Sequence, residues 1–143
     1  MATAHRFDEL TSWQRMHELD LEILRSADQP PIAHDFKFRS QITDAANSAA
    51  ANVAEGFARY HPEEFARFLD YSRASATEVR ACLRRAREAG YISDSEFNHL
   101  DGLACRGLQT VAKFQRYLRS SAARRKAKQA RYAGEPRRRD SGT

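Results

Sequence analysis

Apolar residues recur along most of this chain at steps of three and four, the spacing of one helical face, and nowhere in the alternation of a half-buried strand. The first run, from about Phe7 to Ala27, spreads Leu10, Trp13, Met16, Leu19, Ile23 and Leu24 over a wide arc and stops before Pro30-Pro31, where helix is excluded. A second, from about Asp35 to Tyr60, places Phe38, Ile42, Ala45, Ala49, Val53, Gly56 and Tyr60 on one face, with enough alanine for close helix approach. The third opens with Pro62, suited to a first helical position, and with Glu63 and Glu64 where the helix dipole favours acids. It continues through Phe65, Leu69, Ser72, Ala76, Val79, Leu83 and Ala86 to about Ala89, with Gly90 placed to end it in the left-handed conformation. The fourth begins at Ser93-Asp94-Ser95-Glu96, a pattern that predicts a reciprocal capping box, and carries Phe97, Leu100, Ala104, Gly107, Val111, Phe114 and Leu118 inward. Short connections between long helices predict an all-α, antiparallel up-down-up-down four-helix bundle.

Charge divides the chain in two. The total is +5, but from Ala122 to Thr143 eight Lys or Arg stand against Glu135 and Asp140, a net +6 that leaves the rest at −1. We therefore expect a bundle domain over residues 1–120 and a basic, partly disordered tail over 121–143, with an alanine-rich extension of the last helix to about Arg131 projecting from the bundle. No 18-residue apolar stretch and no apolar leader follow Met1, and Cys82 and Cys105 form no C-x-x-C pair, so a cytoplasmic protein with reduced thiols is expected.

On the second helix Gln41, Ser48, Asn52, Glu55 and Arg59 fall on one polar strip beside the apolar face, and the third offers Ser72, Ser75 and Glu78 near its own core face. A hydrogen-bonded network fixing the register of the two helices is the structural expectation; a ligand site is the alternative.

At these positions the chain resembles the four-helix bundle proteins encoded in intervening sequences of bacterial large-subunit ribosomal RNA genes. These are similar in turn to the accessory variability determinant proteins of diversity-generating retroelements. The resemblance rests on Phe7-Asp8-Glu9-Leu10 with Trp13, Gln41-Ile42, Asn52-Val53-Ala54-Glu55-Gly56 with Arg59, Glu64-Phe65 with Leu69, and Ser75 with Glu78. Two positions depart from it: His61 stands where a serine cap is usual, and Ala74 precedes Ser75 where glycine is common. The resemblance implies a ring-shaped homo-oligomer, a pentamer, and for the retroelement branch binding to nucleic acid and to a reverse transcriptase. For the stand-alone branch it implies no established activity.

Catalytic patterns are sparse. Glu96-x-x-His99 is the one Glu-x-x-His pair, where a di-iron bundle needs two, and His17-Glu18 lacks the second histidine of a zincin. Cys82 beside Arg80, Arg84 and Arg85 suggests a nucleophile at most weakly, since free cysteine ordinarily packs as a small hydrophobe. We expect no enzyme activity, no metal and no cofactor.

Cations are better organised. Arg73, Arg80, Arg84 and Arg87 fall within about 60° of one another on the third helix. Lys113, Arg116 and Arg119 near the end of the fourth helix, then Arg124, Arg125, Lys126 and Lys128, continue the basic surface. Such a surface favours RNA or DNA backbone over bases, and no base-reading module accompanies it. The function expected is a non-enzymatic oligomeric bundle that binds nucleic acid non-specifically, as an accessory to a nucleic-acid enzyme. The alternative is an oligomeric protein scaffold without a nucleic-acid role, supported by the wide apolar arc of the first helix.

Overall fold

The computed structural model describes residues 4–59, 61–120, 125, 126, 128 and 129. Its elements are α1 (Thr11–Ala27), α2 (Phe36–Phe57), α3 (Pro62–Glu88) and α4 (Asp94–Leu118), with short 3-10 turns at Phe7–Glu9 and Ile32–His34 and no strand among the described residues. α1 packs on α2 and α4, and α3 packs on the same two helices from the other side. Met16, Leu19, Ile23, Ile42, Val53, Leu69, Val79, Leu83, Leu100 and Val111 fill the space between them and are almost wholly excluded from solvent. Each of the larger aliphatics contributes about 1.5–3 kcal/mol on burial. Among the described residues no helix is long and apolar enough to cross a membrane.

The first helix is shorter than its periodicity predicts. Leu10 is extended (φ −74°, ψ 126°) and separates the turn at Phe7–Glu9 from α1. In an unbroken helix residues six apart lie about 9 Å along the axis and point about 120° apart. The break instead lets the Phe7 ring meet the Trp13 ring edge-on at 5.1 Å, and the Gln14 amide donates back to the Asp8 carbonyl at 2.9 Å.

The other ends follow local chemistry. Asp35 caps α2 by accepting from the Phe38 N–H. Gly90 takes φ +75°, and the Tyr91 N–H reaches the Ala86 carbonyl at 2.8 Å while the Gly90 N–H reaches that of Arg87, a Schellman closure of α3. Only half of the expected capping box forms: Ser93 Oγ accepts from the Glu96 N–H at 3.1 Å. The Glu96 carboxylate turns to α1, where it accepts from the Ser26 hydroxyl at 2.9 Å, so a tertiary bond replaces the local one. α4 closes at Leu118, with the Arg119 N–H on the Gln115 carbonyl. The expected continuation to Arg131 is interrupted: Arg119 and Ser120 form a turn and a bend, whereas Arg125, Lys126, Lys128 and Gln129, the other described residues of that stretch, are helical and exposed.

Glycine sets two close approaches. A Cβ on Gly56 would lie 2.6 Å from Phe65 Cδ2, and one on Gly107 would lie 2.8 Å from Met16 Sδ. The glycines thus leave the space that the Phe65 ring of α3 and the Met16 side chain of α1 fill against α2 and α4.

Candidate nucleic-acid interface

The predicted cations divide by partner, and α3 and α4 bring Arg73, Arg80, Arg87 and Arg119 together at their seam. Arg80 Nε donates to Asp101 Oδ1 at 2.8 Å, and this bond raises the already high pKa of the guanidinium. Arg73 donates to Gln115 Oε1 at 3.0 Å, Arg119 pairs with Asp70 at 3.1 Å, and the Arg87 guanidinium sits 4.0 Å from the centre of the Phe97 ring. These four span the α3–α4 seam. Arg84, Lys113 and Arg116 are exposed and have no ion pair among the described residues. Arg125, Lys126 and Lys128 are exposed beyond the end of α4, whereas Arg124 lies outside the described residues. The exposed or half-exposed ion pairs of Arg80 and Arg119 contribute at most about 1 kcal/mol each.

The polar strip between α2 and α3 closes over a shorter length than the helical wheel predicts. Ser75 Oγ donates to Ser48 Oγ at 2.9 Å, the Asn52 amide donates to the Ser48 carbonyl and hydroxyl, and Ser72 Oγ donates to the Ala49 carbonyl at 2.6 Å. Glu55 near the end of α2 and Arg59 just past it form an exposed pair, Arg59 also reaches Glu64 at 3.7 Å, and its guanidinium covers the Phe68 ring at 4.6 Å. Glu78 is exposed, and Gln41 is exposed one end further on, beside Lys37 and Arg85. Cys82 is buried, and that burial, reinforced by Glu78, pushes its thiol up against the weaker opposing pull of Arg85. A thiol so placed is less nucleophilic than its arginine-rich flanks suggest. Among the described residues no three His, Cys, Asp or Glu side chains converge to hold a metal ion.

A family model described as 23S rRNA-intervening sequence protein matches residues 8–113, from the first turn to Lys113 in α4. The chain belongs to this family. Among curated proteins none matches it. The matched span takes in the Arg80–Asp101 and Arg87–Phe97 contacts, whereas Gln115, the partner of Arg73, and Arg119, the partner of Asp70, lie beyond it. It ends before Arg116 and the cations beyond α4, so that part of the basic surface lies outside the matched span of the 23S rRNA-intervening sequence protein family. His61, the departure from the usual cap, still precedes α3 in extended conformation (φ −109°, ψ 133°), with Pro62 supplying the preset first turn.

Two features of this family member escape a reading by sequence pattern. The first is the Asp35–Tyr91 contact with Lys37 and Arg85 around it; its parts lie up to 56 residues apart, so no local signal links them. The second is Asp20, which is 9% exposed, with Oδ1 lacking a hydrogen-bond partner among the described residues. Burial raises its pKa, and His17 partly offsets the rise. A carboxyl whose folded pKa is raised binds more protons folded than unfolded, so above the ordinary value of 3.8 stability falls as pH rises. Asp20→Asn is expected to flatten that fall in urea unfolding followed by circular dichroism across pH 4 to 8. An unchanged pH profile would show that the carboxyl is hydrated rather than buried.

Proposed function

We propose that this chain is a non-enzymatic, cytoplasmic, up-down-up-down bundle that self-associates into a ring and binds RNA or DNA through the phosphate backbone, as an accessory to a nucleic-acid enzyme. Residue pairings support the alternating helix directions: Ser72 with Ala49 and Ser75 with Ser48, Arg73 with Gln115 and Arg80 with Asp101, Ser26 with Glu96 and Gly107 against Met16. The face of α1 carrying Leu21 and Leu24, 41% and 39% exposed, supplies the apolar surface for the neighbouring subunit.

The observation that carries the binding role is the set of exposed cations with no ion pair among the described residues, Arg84 on α3, Lys113 and Arg116 on α4, and Arg125, Lys126 and Lys128 beyond it. Membership of the 23S rRNA-intervening sequence protein family gives an RNA context to that charge. A ring repeats the surface once per subunit, and phosphate affinity grows with each neutralised contact. Filter binding of labelled RNA and DNA at low salt should show retention that is independent of sequence. The triple variant Arg84→Ala/Lys113→Ala/Arg116→Ala should lower the slope of log K against log salt by about 2 on a single strand, at about 0.7 per lost contact. No retention, or retention unchanged in this variant and in a chain ending at Leu118, would remove the proposal.

A scaffold that holds another protein is the second reading, favoured by the same apolar face of α1. A partner that survives nuclease treatment during co-purification from the host supports it, and one lost with the nucleic acid supports the first.

A further inference from the structure

The start of α2 and the end of α3 enclose a cleft of about 120 Å³ lined by Asp35, Lys37, Phe38, Gln41 and Arg85. Sites for whole small molecules begin at about 300 Å³, so this one has room for a single tetrahedral anion rather than for a nucleotide. Its framework is rigid. Asp35 Oδ2 accepts from the Tyr91 hydroxyl at 2.7 Å and Oδ1 from the Phe38 N–H at 3.1 Å, while the Phe38 and Tyr91 rings pack edge to face at 5.6 Å. The Tyr91 bond, then that from Phe38, holds the Asp35 carboxyl below its usual range, so it is ionised, and the same bond pushes the Tyr91 hydroxyl up, so it stays a donor.

Lys37 and Arg85 are exposed, and neither has an ion pair among the described residues. With Asp35 they leave the cleft one positive charge, which matches the single negative charge of a phosphodiester. The Gln41 amide adds neutral donors on the same wall. Next to Lys37 stands Phe36, 80% exposed, well above the next large apolar side chain, Tyr71 at 49%. Phe36 directly precedes Lys37 at the start of α2, and side chains one position apart leave a helix about 100° from each other, so the ring flanks the cleft without lining it. An aromatic face beside a cationic pocket is the arrangement by which proteins hold unpaired strands, since a base inside a duplex has no free face to stack.

We propose that this cleft takes one backbone phosphate of single-stranded nucleic acid on Lys37, Gln41 and Arg85, with the adjoining base stacked on Phe36. The proposal rests on the nucleic-acid role above and adds to it a place and a strandedness. The site lies on the α2 side of α3, away from the edge formed by Arg73, Arg80 and Arg87 with α4.

Fluorescence anisotropy of the full chain with a fluorescein-labelled single-stranded RNA, and with the duplex of the same sequence, tests it. Phe36→Ala should weaken single-strand binding at least about fivefold and leave the duplex unchanged. Lys37→Ala/Arg85→Ala should lower the salt slope on the single strand by at least about 0.7, and the charge-conserving Lys37→Arg/Arg85→Lys should restore most of it. If the unaltered chain binds the single strand and the alanine variants bind it equally well, the cleft assignment fails while the broader role stands. If Phe36→Ala weakens duplex and single strand alike, the stacking role fails. If the unaltered chain binds neither RNA at low salt, the broader role fails and this one with it.

Discussion

Replacing Gln115 with leucine is expected to destabilise the bundle by about 2 kcal/mol without opening a cavity, because the two side chains are close in volume and the loss is one of hydrogen bonds. Gln115 is 2% exposed and joins α4 to α3 at three points: its amide donates to the Ala66 carbonyl at 2.8 Å and to Asp70 Oδ1, and its Oε1 accepts from Arg73. Leucine leaves all three groups short of a partner at a buried seam, each at a cost of up to about 1–3 kcal/mol, reduced where water reaches Asp70 and Arg73. In urea the midpoint should fall by about 1 M with the slope of the transition unchanged. An unchanged midpoint would show that the seam is held by its apolar contacts alone. The same substitution frees Arg73, so RNA binding at the α3–α4 edge should hold or strengthen while stability drops, a pairing that general unfolding cannot produce.

The bundle's core was legible because it depends on direction around each helix, which spacing alone encodes. Every described position expected on the inner face of α3 is buried, from Phe65 through Ser72 to Ala86. Ends marked by residues with special backbone demands, Pro62 and Gly90, also fall where the sequence puts them. Contacts that depend on a second helix were not legible. The break at Leu10 goes with the contact of the Phe7 and Trp13 rings across it, and Glu96 leaves its expected cap for a serine 70 residues away.

The basic surface shows the same division. A helical wheel groups Arg73, Arg80, Arg84 and Arg87, yet only the tertiary structure distinguishes Arg84, which has no ion pair among the described residues, from Arg80, which is held by an aspartate 21 residues further on. Gln41 lies on the same strip as Asn52 and Ser48, but a wheel says nothing of which part of the neighbouring helix stands opposite. The middle of the strip meets Ser75, and the Gln41 end meets Arg85 and Lys37. Arg85 leaves α3 about 100° around the axis from Arg84 and lines the cleft with Lys37 and Gln41.

Glycines on α2 and α4 should respond to alanine with opposite sign. Alanine gains up to about 1 kcal/mol over glycine in a helix interior, and at Gly102 nothing within 4 Å opposes the new methyl group, so Gly102→Ala should stabilise by about that amount. At Gly56 the same methyl would stand 2.6 Å from Phe65 Cδ2 and 2.9 Å from Phe68 Cβ. Phe65 is buried and packed edge-on by Phe57 at 6.4 Å and by Phe114 at 5.2 Å, so its ring has no empty space to enter. The helices must part instead, and overpacking of this kind costs about 1–3 kcal/mol, more than the propensity gain returns. Parting α2 from α3 at Gly56 also strains the short bonds of Ser72 and Ser75 two and three turns further along α3, which puts the net loss for Gly56→Ala at about 2 kcal/mol. Thermal unfolding of the two variants side by side should move the midpoint down by several degrees for Gly56 and up for Gly102. Equal shifts of the same sign would mean that α2 and α3 do not touch at Gly56, and with that the register fixed by Ser48, Asn52 and Ser75 would lose its anchor.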